Sequence, residues 1–258
     1  MLLRWADFLW RLAGTGLAFA AFSVGGFILA VVGFRLIDIV TPDRLRRRER
    51  YQSLLRGAFK LFLRCLRGLR ILDFNAVGVD DLKNARGVML VANHPTLLDV
   101  VFLMALTPRA QCIVKSELFS NPFLGPVVSG AGYIRNDLEA EELVAACKAA
   151  LAEGRNLVVF PEGTRTKPRE RVRFRRGFAH IATLLRADIR YVLITCVPAT
   201  LAKGDPWWAI PERRPLFEIS SGGLLQGRTW DMHQHRSIAA RSLVRSLEGY
   251  YNERLADG

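Results

Sequence analysis

No two cysteines of this chain stand in a C-x-x-C spacing; the four present, Cys65, Cys112, Cys147 and Cys196, are scattered along 258 residues. That argues against a disulfide scaffold or a zinc site and suits a reducing compartment. Histidine is equally scarce, with four in all. Of these, His233-x-His235 offers two metal ligands and no third nearby, where zinc sites use three or four. Internal repeats and low-complexity linkers are missing. So are the nucleic-acid motifs and the aromatic ladder on a basic sheet that would mark a nucleic-acid binder. Acidic residues are in deficit: 24 Asp and Glu against 37 Lys and Arg leave a formal net charge of +13. A balance that basic calls for an anionic partner, and with no nucleic-acid signature the candidates are a membrane surface, a phosphorylated substrate or an acidic carrier protein.

What the sequence does have is one long apolar run. Residues 12–34, LAGTGLAFAAFSVGGFILAVVGF, carry no charge between Arg11 and Arg35. As a helix they reach roughly 35 Å, enough to cross a hydrocarbon core. A signal peptide has a shorter apolar region, and no clear small-x-small cleavage site follows this one. A buried core helix is the soluble alternative. The next segment, RLRRRER (44–50), puts this flank on the cytoplasmic side by the positive-inside bias. Residues 51–70 then read as an amphipathic helix with Arg56, Lys60, Arg64 and Arg67 as a basic stripe. Such a helix either lies in an anionic interface or packs on the domain; the neighbouring membrane segment favours the interface.

Further on, short apolar runs alternate with helical ones. The strands expected are 87–93, 111–115, 156–160, 190–198 and 216–220. Residues 138–154 read as a helix capped by Asn136 or Asp137, 177–187 as another, and 236–255 as a final amphipathic helix. Strand–helix alternation implies an α/β domain with its site at strand ends.

Two blocks carry chemistry. In VANHPTLLDV (91–100), His94 precedes a proline, so its backbone is extended and ends the strand. Thr96 to Asp99 fits a capping box, which by itself accounts for Asp99. The same geometry aims the Asp99 carboxylate at His94, where it would orient an imidazole acting as a base. In VVFPEGTR (158–165), a strand delivers Glu162, Gly163, Thr164 and Arg165 to the same kind of edge. Gly163 allows close backbone approach to a ligand, and Arg165 offers a planar fork for phosphate. A surface turn with a solvated arginine fits each residue singly but fits the block less well. His180 lies on an apolar helix and reads as packed or hydrogen-bonded.

NHPTLLD, KSELFSNPFLGPVVSGAGYIRND, FPEGTR and VLITCVPA, taken in order, resemble four sequence blocks of the glycerolipid acyltransferase family, in particular its 1-acylglycerol-3-phosphate acyltransferases. The resemblance covers roughly residues 75–200. It implies a single α/β mixed-sheet acyltransferase domain flanked by helices, with an N-terminal helical membrane anchor. The boundaries expected are 1–35 for the membrane-inserted helix, 36–75 for the basic linker and interfacial helix, 76–230 for the catalytic domain and 231–258 for the C-terminal helix. The resemblance further implies acyl transfer from a thioester of coenzyme A or acyl carrier protein to a lysophospholipid hydroxyl. His94 would be the general base and Asp99 its orienter. Lys115, Arg135, Glu162, Gly163, Thr164 and Arg165 would line the acceptor-phosphate site. No bound cofactor, metal or nucleic acid is implied. The location expected is a bacterial inner membrane with the catalytic domain on the cytoplasmic side. Thr96 stands where serine is commoner in the family. KGDPWWAIPERRP (203–215) and WRLAGTGLAFAAF (10–22) are similar to a subgroup associated with aryl-polyene pigment lipids, which would make another lipid or glycolipid the acceptor. Outside enzymes, a lipid-surface binding protein that kept the fold without chemistry is the alternative.

Overall fold

The computed structural model describes residues 2–229 and 235–256. Seven strands form one sheet: β1 Asp73–Val77, β2 Met89–Ala92, β3 Ala110–Val114, β4 Ile134–Arg135, β5 Asn156–Val159, β6 Ile189–Val197 and β7 Leu216–Leu225. Their order is β1-β7-β6-β2-β5-β3-β4. The five strands from β6 to β4 run parallel. β7 pairs antiparallel with β6, and β1 runs parallel to β7, so the sheet is mixed. The central strands β2 and β5 are buried at every position. That continuous burial explains why they read as apolar runs rather than as alternation: both faces of a parallel sheet are covered.

The helices are α1 Leu2–Ile28, α2 Phe34–Val40, α3 Arg44–Gly68, α4 Asp80–Lys83, α5 Asp99–Leu106, α6 Gly125–Gly130, α7 Ala140–Ala152, α8 Gly177–Leu185 and α9 Arg236–Ala256. Leu63 and Leu66 of α3 join Val101 to Ala105 of α5 in the core on one face of the sheet. Residues of α7, α8 and α9 form the core on the other face. The long apolar run becomes α1, a single π turn (Leu29–Gly33) and α2. This is a nearly continuous helix from Arg4 to Val40 with mean hydropathy 2.3 over its most apolar stretch.

One face of that helix packs on the domain and the other is bare. Arg11, only 2% exposed, donates to the carbonyls of Pro211 and Glu212 at 2.7 and 2.6 Å. Trp10 Nε1 donates to Leu69 O at 2.8 Å. Phe22 stacks on Phe59 of α3, and Phe34 on Tyr51. Gly14 and Gly16 give the close approach: a Cβ at Gly14 would fall 2.8 Å from Ile71 Cδ1, and one at Gly16 would fall 3.0 Å from Trp207. Leu17, Val24, Ile28, Val31 and Ile39 face outward, each at least 46% exposed. The core-helix and membrane readings of this run therefore each describe one side of the same helix.

Four expectations need correction. The basic stripe on α3 is not wholly a lipid-facing surface. Arg56 turns inward and donates to Ala105 O and Leu106 O, neutralising the carbonyl end of α5, while Arg67 pairs with Asp73 at 2.8 Å. The boundary expected after residue 75 falls inside β1. Asn136 and Asp137 do not cap α7, which starts at Ala140 behind Glu139. Asn136 Oδ1 instead accepts the Ser116 N–H, and Asp137 pairs with Arg135. His180 is exposed on α8 rather than packed.

Candidate active site

β2 ends at Ala92, and Asn93 locks the strand end before the chain turns. Its amide donates to Ile194 O and accepts from Ile194 N, both at 2.8 Å, bracing β2 against β6. Tyr251, fully buried on α9, inserts its hydroxyl between the same strands, donating to Val91 O at 2.6 Å and accepting from Val192 N at 3.1 Å. His94 thus leaves a strand end that cannot shift easily.

The N-cap of α5 is Leu98, without a side-chain cap, and not the Thr96 that the capping box implies; Asp99 instead bridges Thr96 and His94. Asp99 opens α5 and is completely buried. Its Oδ2 accepts the Thr96 N–H at 2.7 Å, as a capping carboxylate does, and the same oxygen lies 2.8 Å from His94 Nδ1. Oδ1 accepts the Thr96 hydroxyl at 2.6 Å, and that hydroxyl accepts the Leu98 N–H at 3.2 Å. Burial pushes the Asp99 carboxyl above its ordinary range, and the donors from His94 and Thr96 pull it back. With a carboxylate accepting at Nδ1, the imidazole proton sits there and Nε2 keeps its lone pair. His94 remains 19% exposed and stacks on Phe160 at a ring separation of 4.3 Å. The arrangement orients the imidazole through Nδ1 and leaves its side chain partly exposed.

The FPEGTR turn follows β5, the strand beside β2. Glu162 is buried, and its Oε1 accepts the His94 N–H at 2.8 Å while Oε2 accepts the Thr166 hydroxyl. Thr166 N–H in turn donates to His94 O at 2.9 Å. The backbone of the histidine is clamped on both sides by this turn. Burial pushes the Glu162 carboxyl up to about 8. Glu162 therefore sits behind the histidine and holds its backbone. Arg165 Nη1 donates to Leu201 O and Ala202 O at 2.8 and 3.0 Å, holding the loop that carries Trp207. Gly163 has φ +70, and the Arg175 guanidinium lies where its Cβ would be, with Nε 2.8 Å from that point. Thr164 is exposed on the turn.

Lys115 follows β3 and is exposed. Arg135, on β4, forms a bidentate pair with Asp137 at 2.9 and 2.7 Å. They lie two and three strands from β2, roughly 10 and 14 Å away at about 4.8 Å per strand. All of these groups share the C-terminal edge of the parallel strands, where α/β sheets bind ligands. Asn93, Thr166 and Tyr251 escaped the sequence reading. Asn93 directly precedes His94 and Thr166 directly follows Arg165, which was the available signal; Tyr251 gave none.

A family model described as Acyltransferase matches residues 73–201, half of the chain. The chain belongs to that acyltransferase family. It is 38% identical over 140 residues to a 1-acyl-sn-glycerol-3-phosphate acyltransferase of Helicobacter pylori, covering 52% of this chain and 58% of that one. It is 30% identical over 121 residues to one of the same name from Cocos nucifera, covering 45% and 39%. The chain thus spans about half the length of the curated relatives it matches. A solved structure, the 1-acyl-sn-glycerophosphate acyltransferase PlsC of Thermotoga maritima, superposes with a TM-score of 0.70 over 96% of this chain and 97% of its own, at 18% identity. That likeness establishes a shared fold, N-terminal helices included. In this acyltransferase-family chain, His94, Asp99, Glu162 and Arg165 all fall within the matched region.

His233 lies outside the described residues. His235 is exposed, its Nδ1 3.4 Å from the Ser237 hydroxyl.

Proposed function

We propose that the chain transfers a fatty acyl group from an acyl thioester to the free hydroxyl of 1-acylglycerol-3-phosphate, giving phosphatidic acid. The observation that carries the reading is the buried Asp99 carboxylate on His94 Nδ1 at 2.8 Å, with the His94 side chain still 19% exposed. His94 Nε2 takes the acceptor proton as the hydroxyl oxygen attacks the thioester carbonyl. The tetrahedral oxyanion collapses, expelling the thiolate of coenzyme A or of a carrier protein, and the imidazolium returns the proton to it. Asp99 stabilises the imidazolium.

Direct transfer fits better than an acyl-enzyme. Cys196 is the thiol within electrostatic reach of Asp99, and burial pushes it up to about 12. At neutral pH it is a thiol and a poor nucleophile. The Thr96 hydroxyl is turned to Asp99 and not to the imidazole. Lys115 and Arg135, with the Gly163–Thr164 turn, are the proposed acceptor-phosphate ligands.

The relatives' names support the acceptor. The bare apolar face from Leu17 to Ile39 supports a membrane location, and the basic segment 44–50 supports the cytoplasmic side of an inner membrane for the catalytic domain. The test is turnover of purified full-length protein and His94→Ala with 1-acylglycerol-3-phosphate and either thioester. His94→Ala is expected to fold normally and lose at least roughly 10²-fold in kcat, the usual share of a general base. Near-normal turnover would remove His94 from that role.

A further inference from the structure

The stretch after the FPEGTR turn, RERVRFRR (169–176), crosses the face of the sheet opposite α1 and α3, from Arg169 in a turn at φ +66 to Arg176 at the N-cap of α8. Val172 and Phe174 point inward and join the core of α8 and α9. Arg171, Arg173 and Arg175 alternate with them and are exposed. The alternation is held rigidly. Asn252 of α9 accepts the Val172 N–H and donates to its carbonyl, at 2.9 and 3.1 Å, and Glu248 accepts the Phe174 N–H at 2.6 Å. Arg175 N–H donates to Pro161 O at 2.8 Å, tying the last rung to the catalytic turn. Lys167, Arg169 and Arg176 extend the same exposed surface. Among the described residues none of these six cations has an ion-pair partner within 4 Å. Glu170 is the single acid exposed within the stretch.

Two features point to what this ladder meets. The first is its side of the molecule. The apolar surface of α1 and α2 faces away from the other side of the sheet. With that surface in a bilayer, the sheet and a helix layer separate the ladder from the lipid. Charge attraction to lipid is then screened, since the Debye length is about 8 Å in physiological salt. The ladder faces water. The second is its repeat. Alternate residues of an extended chain are roughly 6.7 Å apart. Carboxylates four residues apart on a helix are about 6 Å apart. A row of arginines in that register matches an acidic helix, whereas one small phosphorylated ligand needs one cluster.

We infer that Arg171, Arg173 and Arg175 dock the acidic surface of an acyl carrier protein and aim its thioester arm at His94 across the Gly163 turn. This rests on the thioester-dependent acyl transfer proposed above. The lipid acceptor then arrives from the α1 side and the donor from the opposite, aqueous side.

The experiment uses the full chain in nanodiscs and the double variant Arg171→Glu/Arg173→Glu, which leaves the residues around His94 untouched. Binding of a holo acyl carrier protein is measured directly, by surface plasmon resonance at low and moderate salt. In parallel, kcat/KM is measured for acyl carrier protein and for acyl-coenzyme A thioesters of the same chain. Wild-type protein is expected to bind the carrier with an on-rate that falls as salt rises. The variant is expected to lose binding and kcat/KM for the carrier thioester by at least roughly tenfold, with the coenzyme A reaction unchanged. Unchanged carrier binding in the variant overturns the inference. So does an equal loss with both donors, which would assign the ladder to coenzyme A or to folding, and so does failure of the variant to stay with the nanodiscs, which would assign it to lipid. If wild-type protein acylates no 1-acylglycerol-3-phosphate with either donor, the function proposed above fails, while carrier binding still decides the ladder.

Discussion

Glu162 grips His94 by its backbone, accepting the histidine N–H at 2.8 Å from a residue 68 positions earlier in the chain. This contact gives the buried carboxyl a structural task in a turn otherwise suited to phosphate. Glu162→Gln keeps the acceptor oxygen and can donate its amide to the Thr166 hydroxyl, so activity should stay within a few-fold of wild type. Glu162→Ala leaves the His94 N–H buried and unpaired, a cost of about 1–3 kcal/mol. Its kcat should fall while the acceptor KM holds. A raised acceptor KM with unchanged kcat would return Glu162 to the acceptor site.

The same carboxyl predicts a pH dependence of stability. An ordinary glutamate titrates near 4.5, and burial pushes Glu162 up to about 8. Between those values the folded chain holds a proton that the unfolded chain releases, so this group's contribution is full below about 4.5 and is lost as pH rises to about 8. The expected loss is on the order of a few kcal/mol. Thermal melts across that range should therefore decline more for wild type than for Glu162→Gln. Parallel curves for the two proteins would mean that Glu162 does not carry the shift.

Asp99 serves two masters, the Thr96 N–H and the imidazole, through one oxygen. Asp99→Asn with its carbonyl oxygen in place of Oδ2 still accepts from both but carries no charge to stabilise an imidazolium, and with its amide nitrogen there it accepts from neither and frees the imidazole to carry its proton on Nε2, the wrong nitrogen for a base. A loss of kcat of at least roughly 10²-fold is expected, together with a lower melting temperature from the disturbed cap. A variant with normal kcat and a lower melting temperature would make Asp99 a cap alone.

Sequence and structure agree where one local rule governs. β2 and β5 were legible because parallel strands covered on both faces read as apolar runs. His94 and Asp99 were legible because the proline and the capping box fix their mutual direction within five residues. β1, DFNAV, carries Asp73 and Asn75 and pairs at a sheet edge, so it shows no apolar run; β4 has two residues and no period at all. The inward turn of Arg56, the loop contact of Arg165 and the clamp by Glu162 depend on partners 36 to 68 residues away. Helical or strand periodicity says nothing about such pairs.

Arg135 is held by Asp137 at present, and any acceptor phosphate must compete with that carboxylate. If Arg135 binds the phosphate, Arg135→Ala should raise the acceptor KM several-fold and Asp137→Ala should lower it. Both groups are exposed, so neither change should move the melting temperature appreciably. Steady-state kinetics in acceptor at saturating donor decides it. An acceptor KM indifferent to both changes would take Arg135 out of the phosphate site.

The last prediction concerns the bare face of the N-terminal helix. Val24 and Ile28 are one turn apart, each at least 50% exposed. The helix is tied to the domain through other residues: Arg11, Trp10 and Phe22 on its packed side. Val24→Asp/Ile28→Asp should therefore leave the fold and the melting temperature in detergent intact. In lipid it places two charges where an apolar surface is expected, at about 2.5–3.5 kcal/mol each if they reach hydrocarbon depth. Wild-type protein should stay with membranes through a high-salt wash and leave only with detergent, because apolar burial is not screened by salt. The double variant should appear largely in the soluble fraction after the same wash. Release of wild-type protein by salt alone would mean that its basic surface, and not this helix face, holds it to the membrane.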